Sequence, residues 1–323
     1  MNQVLGTWRW AAYMADECAL RGKSPLRINI DESPMPIVYP AAKGNIVKDK
    51  GTFREARRGA TRTEQRVHLT FVAMICDVPW VQNLLPQILV VPQRCLPIDV
   101  WRSILTELPR NVYLLRNASM WLNTSIFRTI LRLLRKILKY HHVQRRHQVI
   151  LYLDAFGGHI AVASLEKMRD YHFWFVLLPA ALTWLLQPLD VKTFSKMKAF
   201  LKCRFISYTT NAQDGPLILK ALRDILQGIR RFFTQQDWSS AFKCLGLSGT
   251  PATSCTLLRE LEWESVPTVS RERPDEALIR QNTPRGRQLN AAAVQGAFPR
   301  IHIPSPLAVP AVDDTANDES DTD

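Results

Sequence analysis

The chain has 323 residues, enough for one core of about 200 residues plus appendages. No apolar run reaches membrane-spanning length, residues 1–20 contain Asp16 and Glu17 and lack the arrangement of a signal peptide, and Cys18, Cys76, Cys95, Cys203, Cys244 and Cys255 are scattered without a CxxC pair, so neither a zinc cluster nor a disulfide framework is indicated and a reducing compartment is expected. The formal charge of +13 and pI near 9.7 favour a polyanionic partner; residues 265–323 hold 6 basic and 9 acidic residues, a balance of −3, which leaves +16 on residues 1–264.

In chain order, residues 4–21 read as a helix with Leu5, Trp8, Ala12, Ala15 and Ala19 near one stripe, and Gly22 to Pro25 ends it; residues 1–25 are expected to be a linker helix. Leu26 to Asp31 alternates through Ile28 and Ile30 as a strand does, and Pro34 and Pro36 stop it. On local sequence alone, Asp31 reads as a turn residue. Arg54, Arg57, Arg58, Arg62 and Arg66 lie in a basic segment that suits either a solvated loop or phosphate contacts. Val67 to Cys76 and Gln87 to Val91 read as strands, with Pro79 and Pro86 marking the turn between them. Asp77, after the second strand, is the nearest rival to Asp31 for a metal role. Three strands ahead of the first long helix fit an α/β, ribonuclease-H-like fold, in which an antiparallel meander is followed by parallel strands added through helices.

Asn123 to Lys139 is the clearest helix. Ile126, Ile130, Leu134, Ile137 and Leu138 make one face, and Arg128, Arg132, Arg135, Lys136 and Lys139 decorate the remainder. His141, His142 and His147 follow in a corner that lacks carboxylate or cysteine partners nearby, so they read as solvated. Val149 to Leu153 suits a strand buried on both faces, and it ends on Asp154. Phe173 to Leu178 is a second such run, so with the helix Ile160 to Arg169, opened by Gly157 and Gly158, the pair reads as strand, helix, strand with parallel strands. His159 reads as a helix cap or a donor to a neighbouring group. Trp174 and Trp184 read as core.

Gln187, Pro188, Leu189 and Asp190 suit a helix start. Asp190, Phe194, Met197 and Leu201 fall at i, i+4, i+7 and i+11, which aims Asp190 inward, while Lys192 and Lys196 fall elsewhere. Two carboxylates directed at one place, from a strand tip and a helix start, suit a divalent cation, because unpaired buried charge is otherwise very costly. Leu217 to Phe233 is amphipathic, Trp238 to Gly246 (WSSAFKCLG) ends the compact part, and from Val266 the composition suits a disordered, acidic-ended tail. The expected division is therefore 26–210 for the α/β domain, 211–265 for a helical extension and 266–323 for the tail.

LYLDAFGGHI and LPAALTWLLQPLDV, with 35 residues between Asp154 and Asp190, resemble the second and third acid motifs of the DDE superfamily endonucleases. These are transposases of the pogo and mariner kind, with host proteins derived from them such as the jerky and centromere protein B group. In that family an aspartate in a hydrophobic-Asp-Glu context on the first strand supplies the first acid, and Arg27 to Ser33 (RINIDES) offers that pattern at Asp31. The resemblance spans about residues 26–250, closing with WSSAFKCLG. It implies that Asp31, Asp154 and Asp190 are catalytic and hold two Mg2+ or Mn2+ ions roughly 3.5 to 4 Å apart, for DNA phosphodiester cleavage and strand transfer. DNA is then the expected partner, with Arg57, Arg58, Arg62, Arg128, Arg132, Arg135, Lys192 and Lys196 as candidate contacts, a homo-oligomer as a possible assembly and the nucleus as the location. This chain has Ala180, Ala181 and Trp184 where the family has a Pro-Pro or Pro-Asn pair and a small residue or histidine, a departure that bears on substrate contacts more than on metal. Thirty residues precede Asp31, too few for the family's upstream helix-turn-helix. A rival expectation is a domesticated relic that binds nucleic acid or protein without cleaving; another is a nuclease of unrelated purpose on the same fold.

Overall fold

The computed structural model describes residues 2–36, 68–93, 96–118, 122–206, 217–234, 236–248, 256–265, 267–275, 277, 278 and 282. Its strands are β1 (Ser24–Pro36), β2 (His68–Cys76), β3 (Gln87–Pro92), β4 (Val112–Asn117), β5 (His147–Asp154) and β6 (Trp174–Leu178). They form one sheet in the order β4-β3-β2-β1-β5-β6. Around it lie the helices α1 (Asn2–Leu20), α2 (Pro79–Gln82), α3 (Ile98–Leu105), α4 (Thr124–Tyr140), α5 (Gly157–Ile160), α6 (Val162–Asp170), α7 (Thr183–Leu186), α8 (Phe194–Ile206), α9 (Leu217–Phe233), α10 (Ser239–Cys244) and α11 (Thr256–Glu260).

β1, β2 and β3 pair antiparallel, then β5 joins β1 and β6 joins β5 in parallel. An antiparallel meander extended by parallel strands on the side of its first member is a ribonuclease-H-like arrangement, and the apolar runs explain it. The core of β2, β5 and β6 is buried on both faces, as strands covered by helices on either side must be. β4 is an addition that the sequence pattern did not reveal. It pairs parallel to β3 at the sheet edge and is only half-buried, so its sequence VYLLRN lacks the apolar run of the inner strands.

Side-chain alternation divides the sheet into two faces. Arg27, Asn29, Asp31 and Ser33 share one face, and Phe71, the register partner of Ser33, lies on that face too. Phe71 meets Phe194 of α8 and Phe233 of α9 at ring separations of 6.4 and 4.9 Å, so those helices cover this side. Glu32 points to the opposite face, toward α4 and α5, whose Phe127 and His159 rings lie 4.4 Å apart. Asn123 caps α4 by accepting from the Ile126 N–H, and Phe127, Ile130, Leu131, Leu134 and Leu138 are its buried stripe.

Two expectations about the chain ends are corrected. α1 is no linker: Val4, Trp8, Trp10, Ala11, Met14 and Cys18 are buried, and the helix packs on β1 and β6. Of the expected stripe only Trp8 is fully covered; Leu5, Ala12 and Ala15 are half-buried and Ala19 is exposed, because α1 is enclosed on more than one side. The segment after residue 266 also does not hang free at its start. Arg271 pairs with Asp16, Arg9 donates to the Glu272 and Arg273 carbonyls, and Leu278 is buried. Asn282 donates through Nδ2 to the Leu177 carbonyl at 2.9 Å. Before that, Trp263 lies edge-on to Trp8 at 5.7 Å, so packing continues past Gly246. No helix among the described residues is long and apolar enough to cross a membrane.

Candidate metal centre

β1 and β5 run side by side with Asn29 opposite Tyr152. Two residues further on, Asp31 and Asp154 therefore stand level on the same face, at the C-terminal end of the parallel pair. Asn29 is buried and ties three elements together. Its Nδ2 donates to the Tyr152 carbonyl at 2.9 Å, and its Oδ1 accepts from the Leu189 N–H at 3.0 Å. That second bond anchors the turn that carries Asp190.

Leu189–Thr193 is a π-helical turn feeding into α8, a local widening that is frequent at functional sites. It also corrects the expected direction of Asp190. Phe194, Met197 and Leu201 are buried as the spacing predicts, but the inserted turn breaks the phase, and Asp190 is exposed at the rim of the site instead of packed onto the sheet. Lys192 is half-buried and Lys196 exposed.

Asp31 lies within electrostatic reach of Asp190, Glu32 and Asp154. Asp31 is 7% exposed, and its carboxyl is pushed well above the usual range, first by burial and then by the like charges of Asp190, Glu32 and Asp154. Among the described residues the one hydrogen bond to its carboxylate comes from the Glu32 N–H at 2.8 Å. Asp190 is raised too, by loss of surrounding water, with Lys198 opposing and Asp154 adding to the shift. The residues fit a hard divalent cation: the donors are carboxylate oxygens, mutually repelling, with a buried member that is costly to ionise alone.

Asp77, the rival first acid, is engaged by Arg27 instead. Its Oδ2 accepts from Arg27 Nη1 at 2.7 Å and its Oδ1 from the Arg27 N–H at 2.9 Å. Because β2 is antiparallel, this pair sits at the opposite end of β1 from Asp31.

Glu32 is the residue here that the sequence pattern did not place, while His159, read as a cap or a donor to a neighbouring group, contacts both Asp154 and Glu32. The imidazole is fully buried, with Nδ1 2.7 Å from Asp154 Oδ1 and Nε2 2.9 Å from Glu32 Oε1. Asp154 Oδ1 also accepts from the Phe156 N–H at 3.2 Å. Burial alone would lower the basicity of His159, but Glu32 and Asp154 more than offset it and hold the ring up at about 10. Glu32, Asp154 and His159 offer ligand atoms within 4.8 Å of one another. However, two carboxylate partners require both ring nitrogens to donate, which leaves no lone pair for a metal in this arrangement. His159 comes over the sheet end on a tight turn: a Cβ at Gly158 would lie 3.0 Å from the Phe156 ring, and Ser164 Oγ donates to the Gly158 carbonyl at 2.6 Å.

The remaining candidates separate. Arg57, Arg58 and Arg62 lie outside the described residues. Arg128 and Arg132 are exposed on α4 and Arg135 is half-buried; the helix begins beside the acid cluster, since Phe127 stacks on His159. Trp174 is buried as expected, whereas Trp184 is 60% exposed, its Nε1 donating to the Ala181 carbonyl at 3.1 Å. His141 and His142 are exposed, and His147 lies half-buried against Trp80 at 5.9 Å.

Part of the chain is similar to known proteins. Residues 89–236 match the family model of the DDE superfamily endonucleases, a span that includes Asp154 and Asp190 and leaves out Asp31. No curated protein sequence matches the chain. Among solved structures, the Mos1 transposase paired-end complex with left transposon end is similar over 76% of this chain and 63% of that one, at 14% identity and a TM-score of 0.37. The catalytic domain of Mos1 mariner transposase is similar over 76% of this chain and 95% of that one, at 12% identity and a TM-score of 0.34. The chain thus spans less than two thirds of the length of the first of these. The matched stretch, residues 89–236, is the one that carries β5, the crossover and the Asp190 turn.

Proposed function

We propose that this chain is a transposase-type endonuclease that cleaves DNA phosphodiester bonds with a divalent cation, Mg2+ or Mn2+, held by Asp31, Asp154 and Asp190. The observation that carries this reading is the strand register that sets Asp31 level with Asp154, together with the Asn29 bond to the Leu189 N–H that ties the Asp190 turn to the same strand. Hard oxygen donors select such ions over softer metals. The chemistry supplied by a cation held there is Lewis-acid polarisation of the phosphoryl group and neutralisation of charge on the leaving oxygen. The chain's own residues supply position. Asp31 and Asp154 are fixed on paired strands, and Asp190, exposed at the rim, is held in place through Leu189 and Asn29. The exposed Trp184 lies six positions before Asp190 in the sequence.

Arg128 and Arg132 on α4 offer a row of phosphate contacts that starts next to the cluster, and the charge of residues 1–264 supports a sequence-indifferent electrostatic attachment. On this reading a salt rise from 50 to 200 mM weakens binding to unrelated duplexes about equally, by about a hundredfold or more if six or so phosphates are contacted. Replacing Arg128, Arg132 and Arg135 together should flatten that dependence. A nuclear location follows as part of the proposal.

The test is Mn2+-dependent nicking of supercoiled DNA by the full chain and by Asp31→Ala, Asp154→Ala and Asp190→Ala. Cleavage by the parent and loss of cleavage in each variant, with melting curves retained, is the expected result. A parent chain that binds DNA and takes up Mn2+ without nicking would mark a silent relic of the same fold and overturn the cleavage reading.

A further inference from the structure

His159 is enclosed more completely than a helix cap needs. The ring is fully buried, walled by Phe127 at 4.4 Å and Phe156 at 5.5 Å, and both of its nitrogens are engaged. The two acids it joins come from opposite faces of the sheet. Asp154 ends β5 on the face of Asp31, while Glu32 projects from β1 to the other side, and His159 crosses the sheet end to reach both.

We infer that His159 and Glu32 form a positioning relay for Asp154: Glu32 anchors Nε2, the phenyl walls fix the ring plane, and the Nδ1 donor then holds Oδ1 of Asp154 in one orientation toward the cation. The physical reason is that a carboxylate at a strand end rotates about its terminal torsion in a broad, shallow well. A buried donor with a second, charged anchor narrows that well, as outer hydrogen-bond partners do for metal ligands generally. Neither His159 nor Glu32 ligates in this scheme. The inference rests on the cation site proposed above and adds two residues to it, one of which lies 127 positions away from the other in sequence.

The experiment is Mn2+ binding to the full chain, followed by electron paramagnetic resonance, for the parent, Asp154→Asn, His159→Gln, Glu32→Ala and the His159→Gln/Glu32→Ala double variant. His159→Gln and Glu32→Ala should each weaken Mn2+ by about tenfold, within the ten- to hundredfold range for such partners. The double variant should lose clearly less than the sum of the two single losses, because the relay makes Glu32 hold Asp154 through the ring. Pulsed spectra of the parent should show no coupling to a directly bound imidazole nitrogen. Should His159→Gln fail to fold, Glu32→Ala and the parent spectrum still decide the matter. Unchanged affinity in Glu32→Ala, additive losses in the double variant, or a coordinated-nitrogen signal would each overturn the relay while leaving the three-aspartate site standing. A parent that binds no Mn2+, or an Asp154→Asn variant that binds it as well as the parent, would instead remove the cation site and the relay with it.

Discussion

The two ends of β1 treat a buried acid in opposite ways. At its start, Asp77 lies against Arg27, with the guanidinium and the backbone N–H both donating to it, so the charge is matched within the protein. Toward its end, on the same face, Asp31 meets Asp190, Glu32 and Asp154, and the surroundings push its carboxyl up. One strand therefore shows a carboxylate serving the fold and a carboxylate that the fold holds at a disadvantage. The difference supports the proposal that Asp31, and not Asp77, is the acid kept for a ligand, since a site whose charges repel in the free protein is relieved when a cation arrives.

Removing the matched acid should produce the largest loss of stability. Asp77→Ala strands a mostly buried guanidinium, so it should cost about 3 to 5 kcal/mol in urea unfolding. A loss below about 1 kcal/mol would mean that Arg27 finds water and that the two ends are less different than they look.

The opposite sign is expected at the other end. Asp31→Asn keeps an acceptor for the Glu32 N–H while deleting a repelled charge, so the metal-free variant should be more stable than the parent by about 1 kcal/mol or more. Destabilisation without metal would show that Asp31 is better satisfied than its neighbours suggest.

A smaller, graded effect follows from pH. A carboxyl whose folded value is raised contributes stability that is present below its unfolded value near 3.8 and lost as pH rises through the folded value; Asp31 and Asp190 both have this sign. His159, raised from 6.5 to about 10, contributes stability that is present below pH 6.5 and fades between there and about 10. The advantage of Asp31→Asn should therefore shrink toward pH 4 and widen toward pH 8 in metal-free melts. Saturating Mn2+ should raise the parent's melting temperature more at pH 8 than at pH 6. A pH-independent gap between variant and parent would break the comparison.

Much of this was legible in the residues. VILYLD and HLTFVAMIC declared buried strands because strands covered on both sides must be apolar throughout, and the strand tip at Asp154 stood out for the same reason. β4 was not legible, since a half-exposed edge strand has too few apolar positions to announce itself. The role of α1 was hidden because burial on several sides leaves no single stripe to count. The direction of Asp190 was misread, because a π turn shifts helical phase and local sequence does not mark it. Asn29 carried a readable signal, a polar residue in an apolar strand two positions before Asp31 and therefore on its face. His159 was readable as a cap or a donor, but Glu32 carried no signal, since their meeting depends on β1 and the β5 crossover being neighbours in space.

The central claim, that Asp31, Asp154 and Asp190 make one cation site while Asp77 does not, is tested most directly by Mn2+ titration calorimetry of the full chain and four single variants. Asp31→Asn, Asp154→Asn and Asp190→Asn should each weaken Mn2+ binding by at least about tenfold, as loss of one hard ligand requires, while Asp77→Asn, checked for folding by its melting curve, should bind as the parent does. If Asp77→Asn loses the metal and Asp31→Asn retains it, the account is wrong about which end of β1 holds the ion.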